Sequence, residues 1–409
     1  MERTITIGFL GCGNVGGGVW KLLNGFADDI AHRTGLRFSI KRVLVRSLAK
    51  KRDIDFPEGV LTDRVEDVLD DPEICIVLEF LGGEEPAHQW ITLALERGKT
   101  VVTANKVAFA LHWHELQKAA KQSGAGLYYE AAVCGAIPII HTMEESLQAN
   151  RISYLYGIMN GTTNYILTRM IRSGLTFETA LKEAQANGYA EQDPTADIEG
   201  HDACRKICIL ASLAFGRHIY PRQVPAEGIT GVTLSDVAWA EACGKKLKLL
   251  GRAIRQADGR VCAYVSPHLV DVENPLAGVE DVFNAIAVKG NAIGDVMFYG
   301  RGAGKLPTAS AVVADVIDAA KHRDEKKRVF WAEGGEDTTV SPDGLASAWY
   351  VRGSGDAGAV QAALPGARLL ARADAPAGEF ALVTPPMTRA ELDGKLAGAE
   401  PLSVFRLLD

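Results

Sequence analysis

The stretch Thr4-Ile5-Thr6-Ile7-Gly8-Phe9-Leu10-Gly11-Cys12-Gly13-Asn14-Val15-Gly16 decides the fold. Its first half is a short apolar run with β-branched residues, which reads as a strand. Its second half is a G-x-G-x-x-G sequence opening a helix that is read from Val15 to His32. Each glycine has its own task. Gly11 allows the tight turn, Gly13 lets a pyrophosphate approach the backbone, and Gly16 permits close helix–strand contact. Asn14 and Val15 carry the chain into a helix start whose N–H groups lack partners inside the helix and so face an anion. Such a sequence can also be a plain glycine-rich turn. The strand before it and the helix after it favour a dinucleotide site.

The pattern continues outward. Strands are expected at Phe38 to Val45, Ile74 to Leu81, Lys99 to Thr103 and Gly126 to Glu130. They alternate with helices near Val65 to Leu69, Pro86 to Arg97 and His112 to Ser123. This alternation predicts an α/β, Rossmann-type, doubly wound parallel sheet. After about residue 130 the pattern changes to α+β. A strand from Arg151 to Met159 runs into Asn160-Gly161-Thr162-Thr163-Asn164. Helices follow at Tyr165 to Arg172, Phe177 to Asn187 and Asp197 to Ala214, then strands near Val261 to Val265, Val282 to Lys289 and Asp295 to Phe298. The apolar helix Thr308 to Lys321 is expected to return to the first domain, and the charge run Arg323 to Arg328 reads as a linker. The tail reads as strand Ala346 to Arg352, helix Gly358 to Leu364, strands Arg368 to Ala371 and Phe380 to Thr384, helix Arg389 to Leu396 and strand Ser403 to Leu407. That βαββαβ order is ferredoxin-like. The expected domains are 1–130, completed by 305–322, for the cofactor; 131–304 for substrate and dimerisation; and 345–409 for the tail.

Length and composition agree with this plan. At about 150 residues per domain, 409 residues fit two to three domains. Acids number 51 against 44 bases, a net charge of −7, which argues against nucleic-acid binding by bulk charge. There is no uncharged apolar run of about 18 residues, so no membrane-spanning helix is expected. Met1 to Gly8 lacks a signal-peptide pattern, and the seven cysteines form no C-x-x-C pair, so a reduced, cytoplasmic protein is expected. His201, Cys204 and Cys208 share one helix face. Three ligands from one straight helix surround a tetrahedral ion poorly, which favours small buried thiols over a metal.

Three places carry chemistry. From Arg37 to Arg52 there is no acid to bond a ribose 2′-OH, while Arg46, Lys50, Lys51 and Arg52 are cationic. This favours NADP over NAD, with an ordinary solvated basic loop as the alternative. Thr103-Ala104-Asn105-Lys106 follows a strand and so lies at a carboxyl edge of the sheet, where ligands bind. Lys106 there is either a ligand contact or a surface lysine. The densest constellation is Gly188-Tyr189-Ala190-Glu191-Gln192-Asp193-Pro194-Thr195-Ala196-Asp197-Ile198-Glu199-Gly200-His201-Asp202, with Lys206 four residues on. A helix starting near Asp197 puts Asp202 and Lys206 on one face. Carboxylates can hold a substrate ammonium and a lysine can pass a proton. Spacing alone leaves open an exposed ion pair of little consequence.

These residues resemble homoserine dehydrogenase. The run from Ala184 through Gly188, Tyr189, Glu191, Asp193, Pro194, Asp197, Gly200 and Asp202 to Lys206 matches that family's signature. Val102 to Lys106, Gly157 to Asn164 and Phe298 to Gly304 agree, and the resemblance covers about residues 4 to 320. It implies reduction of L-aspartate 4-semialdehyde to L-homoserine with NADPH or NADH, in threonine and methionine biosynthesis. Lys206 would then be the acid/base, with Lys106 assisting near the nicotinamide. Glu191 and Asp202 would hold the substrate's amino end, and Gly188, Asn160, Thr162 and Thr163 would line the pocket. Gly11, Gly13, Asn14, Val15, Gly16, Arg46, Leu81, Gly82, Thr103, Lys106, Gly302 and Gly304 would meet the cofactor. The resemblance also implies a monovalent cation, sodium, at Glu130, Val133, Gly135 and Ile137, three of them ligating by backbone carbonyl. It implies a homodimer or homotetramer and an ACT-like tail. The first strand-to-helix loop of that tail, Arg352 to Gly358, lacks the Asp-x-Pro-Gly pattern of threonine-binding ACT domains, so a dimerising or vestigial module stays open. Two other readings also remain: another NADP-dependent oxidoreductase acting on an amino-acid semialdehyde or α-amino acid, and a non-catalytic cofactor-binding regulator.

Overall fold

The computed structural model describes residues 2–323, 325 and 331–408, so most of the expected linker run lies outside the described residues. The chain forms two compact units.

Unit 1 comprises Met1–Ala149, Ser212–Tyr220 and Arg301–Glu333. Its sheet has six parallel strands: β1 (Arg3–Leu10), β2 (Leu36–Leu44), β3 (Leu61–Thr62), β4 (Ile76–Glu79), β5 (Thr100–Thr103) and β6 (Leu127–Tyr128). Their order is β3-β2-β1-β4-β5-β6, and the reversal beside β1 makes the sheet doubly wound, as expected. Ile5, Ile7 and Phe9 are buried with Val43, Ile76, Leu78 and Val102. A parallel sheet is covered on both faces, so its strands are near-continuous apolar runs, and each such side chain contributes about 1.5–3 kcal/mol on burial. The two-residue β3 is too short for its pattern to register in sequence.

The helix expected from Val15 to His32 is two helices, Asn14–Gly25 and Ala27–Thr34, and the second ends on Gly35 at φ 72°. Helix Lys305–Lys321 returns to this unit as expected, with Ala309, Val312 and Val316 in its core. Gly18 is required for that contact, because a Cβ there would lie 2.8 Å from the Lys305 carbonyl oxygen and 2.9 Å from the Ala309 Cβ.

Unit 2 comprises Asn150–Ala211, Pro221–Gly300 and Gly334–Asp409. Its mixed sheet is built from β7 (Ile152–Ile158), β8 (Lys245–Arg255), β9 (Val261–Asp271), β10 (Phe283–Gly290), β11 (Gly294–Arg301), β12 (Thr339–Val340), β13 (Trp349–Ser354), β14 (Arg368–Leu369), β15 (Glu379–Val383) and β16 (Ser403–Leu407). The order is β11-β10-β7-β8-β9-β16-β13-β15-β14, with β12 beside β9. The sequence analysis assigns no strand to β8, whose segment carries five cationic residues. Lys248 and Arg252 are in fact buried in the β8–β9 hairpin.

The tail has the βαββαβ order read from sequence, with helices Ala357–Ala363 and Arg389–Lys395. Its four strands pair as fourth-first-third-second, the ferredoxin-like arrangement. They do not stand apart from the rest of the unit. β16 pairs in parallel with β9, opposing Arg406 to His268 and Leu407 to Leu269. A buried ion network adds to this. Arg352 Nε donates to Asp236 Oδ1 at 2.7 Å and Nη1 to Glu379 Oε2 at 3.0 Å. Asp236 lies in helix Leu234–Ala242 and closes a capping box with Thr233.

Among the described residues no helix is long and apolar enough to cross a membrane.

Candidate active site

Unit 1 supplies a dinucleotide cleft. Gly11 stands at φ +97°, and a Cβ there would lie 3.3 Å from the Phe80 carbonyl. A Cβ on Gly16 would lie 3.0 Å from the Phe80 ring, whereas the space beside Gly13 is open. Helix Asn14–Gly25 begins with no side-chain cap and no acid in its first turn, so its amides remain for a ligand anion. In front of it lies a cleft of about 450 Å³, lined by Gly11, Gly13, Arg46, Lys50, Arg52, Leu81 and Gly82, with Asp63 and Glu85 also bordering it. Arg52 donates to the carbonyls of Lys50 at 2.7 Å and Ser47 at 2.8 Å, which holds the basic loop folded. These surroundings fit a nicotinamide dinucleotide with cations for a 2′-phosphate.

Glu79, at the carboxyl end of β4, was missed in sequence. It is fully buried, and burial pushes its carboxyl up from the ordinary value. It accepts from the Leu81 N–H at 2.6 Å and from the Thr103 hydroxyl at 2.5 Å. Thr103 in turn accepts from Asn105 N at 2.9 Å, and Asn105 Nδ2 donates to the Gly83 carbonyl at 2.8 Å. Thr103 therefore shapes the sheet edge rather than lining the cleft. Asn105 also caps helix Lys106–Ser123, so half-buried Lys106 is fixed as that helix's first residue. The signal available in sequence was an acid ending the apolar run Ile76-Val77-Leu78-Glu79.

Gly302 and Gly304 do not line that cleft. Gly304, at φ +123°, opens helix Lys305–Lys321 without a side-chain cap. Gly302 meets the loop of the expected cation ligands, where a Cβ on Gly135 would lie 2.9 Å from the Gly302 carbonyl oxygen. In that loop Cys134 and Gly135 have φ of 52° and 41°. The Glu130 carboxylate accepts from Ile140 N at 3.0 Å and His141 N at 2.6 Å. Each carboxylate oxygen keeps a second lone pair. The Glu130 carbonyl accepts from Val133 N at 3.3 Å, and that of Ile137 from Ile139 N at 2.8 Å. Each carbonyl has a second lone pair, so the loop fits a cation held by main-chain oxygens.

Unit 2 carries a polar cluster of its own. The helix expected from Asp197 is broken into Thr195–Ile198 and His201–Phe215 by the left-handed backbone of Gly200, φ +80°, where a Cβ would also press Val265 at 3.2 Å. Asp202 and Lys206 share a face of the second helix, and their Oδ2–Nζ distance is 2.8 Å. Both are buried, which removes the reading as an exposed pair. Lys206 Nζ also donates to the Met159 carbonyl at 2.7 Å. Asn160 Nδ2 donates to Asp202 Oδ2 at 2.8 Å and to Asp197 Oδ1 at 2.6 Å, and Asn160 Oδ1 caps helix Gly161–Ser173. Asp197 is thus a second residue missed as a site group. Burial, then the neighbouring Asp202, pushes its carboxyl up. Thr163 Oγ1 bonds Asn160, and Thr162 Oγ1 donates to the Tyr189 carbonyl at 2.7 Å, tying this helix to the loop after Gly188 (φ 72°). Glu191 lies in that loop with an exposed side chain. Cys204 and Cys208 are buried while His201 is exposed, in keeping with buried thiols.

Behind this cluster, buried Lys248 Nζ donates to Asn164 Oδ1 at 3.2 Å and the Val279 carbonyl at 2.5 Å. Burial lowers its pKa to about 8 from 10.5. Between those values the unfolded chain holds a proton that the folded chain does not, so stability rises with pH. From pH 8 to 10.5 the wild type should gain about 3 kcal/mol relative to Lys248→Met, measured by urea unfolding at each pH.

A dinucleotide cleft in one unit and a buried lysine–carboxylate cluster in the other define a nicotinamide-dependent oxidoreductase. Residues 138–317 match the family model for homoserine dehydrogenase, and residues 11–130 match the homoserine dehydrogenase NAD-binding domain. The homoserine dehydrogenase of Bacillus subtilis is 45% identical over 321 residues, 78% of this chain and 74% of that protein. The crystal structure of a homoserine dehydrogenase from Thiobacillus denitrificans superposes with a TM-score of 0.88 at 36% identity, covering 100% of this chain and 99% of the other. A hyperthermophilic archaeal homoserine dehydrogenase in complex with NADPH superposes with a TM-score of 0.64 at 27% identity, over 78% of this chain and 98% of the other. The chain belongs to the homoserine dehydrogenase family.

Proposed function

We propose that this chain reduces L-aspartate 4-semialdehyde to L-homoserine, on the route to threonine and methionine, and that NADPH is its preferred reductant. The observation that carries the reading is the buried Lys206–Asp202–Asn160–Asp197 cluster beside helix Gly161–Ser173. When bound, the nicotinamide supplies a hydride to the carbonyl carbon. Lys206 gives its ammonium proton to the carbonyl oxygen as charge develops there. Asp202, and Asn160 through it, orient the lysine Nζ. Glu191 and Asp202 hold the substrate ammonium, with Gly188, Thr162 and Thr163 shaping the pocket. Lys106, placed by its Asn105 cap, assists at the cofactor end. Gly11, Gly13, Asn14, Val15 and Gly16 admit the pyrophosphate. Leu81 and Gly82 bound the same cleft, while Gly302 and Gly304, which lie outside that lining, are proposed to meet the cofactor beyond it. Sodium is the cation proposed for oxygens of Glu130, Val133, Gly135 and Ile137, three of them main-chain carbonyls. The chain acts in the cytoplasm as a homodimer or homotetramer.

The direct test follows NADPH absorbance with aspartate semialdehyde, then with a panel of other aldehydes and amino acids. Turnover confined to another substrate overturns the reading, and cofactor binding without turnover leaves a regulator. Arg46→Ala should raise KM for NADPH more than KM for NADH. An unchanged ratio places recognition of the 2′-phosphate elsewhere.

A further inference from the structure

Unit 1 carries a second cluster that the reaction does not use. Helix Ala87–Glu96 contributes His88, and helix Lys106–Ser123 contributes His112 and Glu115. The two imidazoles stack with centroids 3.8 Å apart and planes inclined by 13°. One nitrogen of each ring faces its own carboxylate. His88 Nδ1 is 3.0 Å from Glu85 Oε1, and His112 Nε2 is 2.8 Å from Glu84 Oε1. An ionised carboxylate only accepts, so these nitrogens carry the protons, and in a neutral ring the other nitrogen presents a lone pair. Both remaining nitrogens turn to Glu115. His88 Nε2 lies 2.9 Å from Glu115 Oε2, and His112 Nδ1 lies 3.9 Å from Glu115 Oε1.

The contact at His88 is informative. Its Nε2 is buried and makes no aligned hydrogen bond, although a carboxylate oxygen is 2.9 Å away. Two atoms at close range but off the hydrogen-bond axis are arranged as neighbouring ligands of one ion, which stand about 2.8 to 3.6 Å apart when each is about 2.0–2.2 Å from it and the angle between them lies between about 90° and tetrahedral. His88, His112 and Glu115 offer ligand atoms that all lie within 4.8 Å of one another. The outer carboxylates, Glu85 and Glu84, complete the surroundings that metal-bound histidines commonly have, in which the second ring N–H donates to a carboxylate.

We propose that His88, His112 and Glu115 bind a divalent transition-metal ion of the zinc type, with water completing its shell. Two imidazoles and one carboxylate suit such an ion better than magnesium or calcium, which prefer all-oxygen shells. Glu115 is largely exposed, so the ion can enter from solvent. The site ties the helix that follows the cleft-lining Leu81–Pro86 segment to the helix that Lys106 begins. It clamps the latter at His112, whose φ of −117° marks a kink. Occupancy therefore acts as a brace on the cofactor side of unit 1.

The test uses the full chain, free of affinity tag and prior metal, titrated with Co²⁺ and back-titrated with Zn²⁺. The expected result is a saturable visible ligand-field spectrum at one equivalent per chain, displaced by Zn²⁺, with a rise in melting temperature. His88→Gln, His112→Gln and Glu115→Gln should each weaken binding by about 10-fold or more. Glu115→Gln lies on the exposed side and keeps the ring stack, so its loss of affinity is read on a folded protein. No saturable spectrum overturns the proposal, as does binding that all three variants leave unchanged. A near-ultraviolet thiolate band lost in Cys204→Ser also overturns it, because the ion then sits at the cysteines.

Discussion

Lys206→Ala should lower kcat by about 10²-fold or more, the loss typical of removing a positioned general acid, with little change in the dissociation constant for NADPH. The expectation rests on where the ammonium is held. Asp202 Oδ2 at 2.8 Å and the Met159 carbonyl at 2.7 Å fix Nζ inside a buried pocket, so neither a flexible neighbour nor bulk water replaces it easily. Steady-state rates with aspartate semialdehyde, together with cofactor fluorescence titration, separate the two effects. Near-wild-type kcat would remove Lys206 from the proton transfer. Weaker cofactor binding with unchanged kcat would place it in binding alone.

The second large effect concerns stability. Arg352→Leu should destabilise unit 2 by about 3–5 kcal/mol, because it strands a buried charge. Asp236 is fully buried and would keep only Thr233 and Tyr350 as partners once the guanidinium is gone. Glu379 would lose its 3.0 Å bond from Arg352, although Trp239 Nε1 still reaches it at 2.8 Å. Replacing both partners with apolar residues of similar volume, Asp236→Leu with Arg352→Met, should recover much of the loss, since no charge is then left unpaired. Urea unfolding of the single and the double variant decides this. A single variant as stable as wild type would mean that the network adds nothing.

How far the sequence could be read depended on how local each signal was. The turn at Gly11 to Gly16 is local, and a single residue type fits each position, so the first sheet followed from it. The six elements of the tail were read within a few residues of their observed bounds, because short alternating strands and capped helices each carry their own pattern. β8 went unread for the opposite reason. Lys248 and Arg252 are buried by partners far along the chain, and a burial pattern that depends on those partners leaves no period in the segment itself. The pairing of β16 with β9 was hidden in the same way. At the candidate site, the signature around Lys206 led to Asp202, and the segment Gly157 to Asn164 led to Asn160. Glu79, and the bonding role of Asp197, emerged only with coordinates, because each is defined by what bonds to it.

Helix Lys305–Lys321 covers helix Asn14–Gly25, and nearly three hundred residues of chain separate them. Closing so long a loop costs entropy before any contact rewards it, and folds dominated by such contacts form slowly. A ribosome would therefore expose Val19 and Leu23 well before their cover is made. The dinucleotide half matures late despite lying first in the sequence, and a fragment ending near residue 149 would present an open apolar face to chaperones and to its own copies.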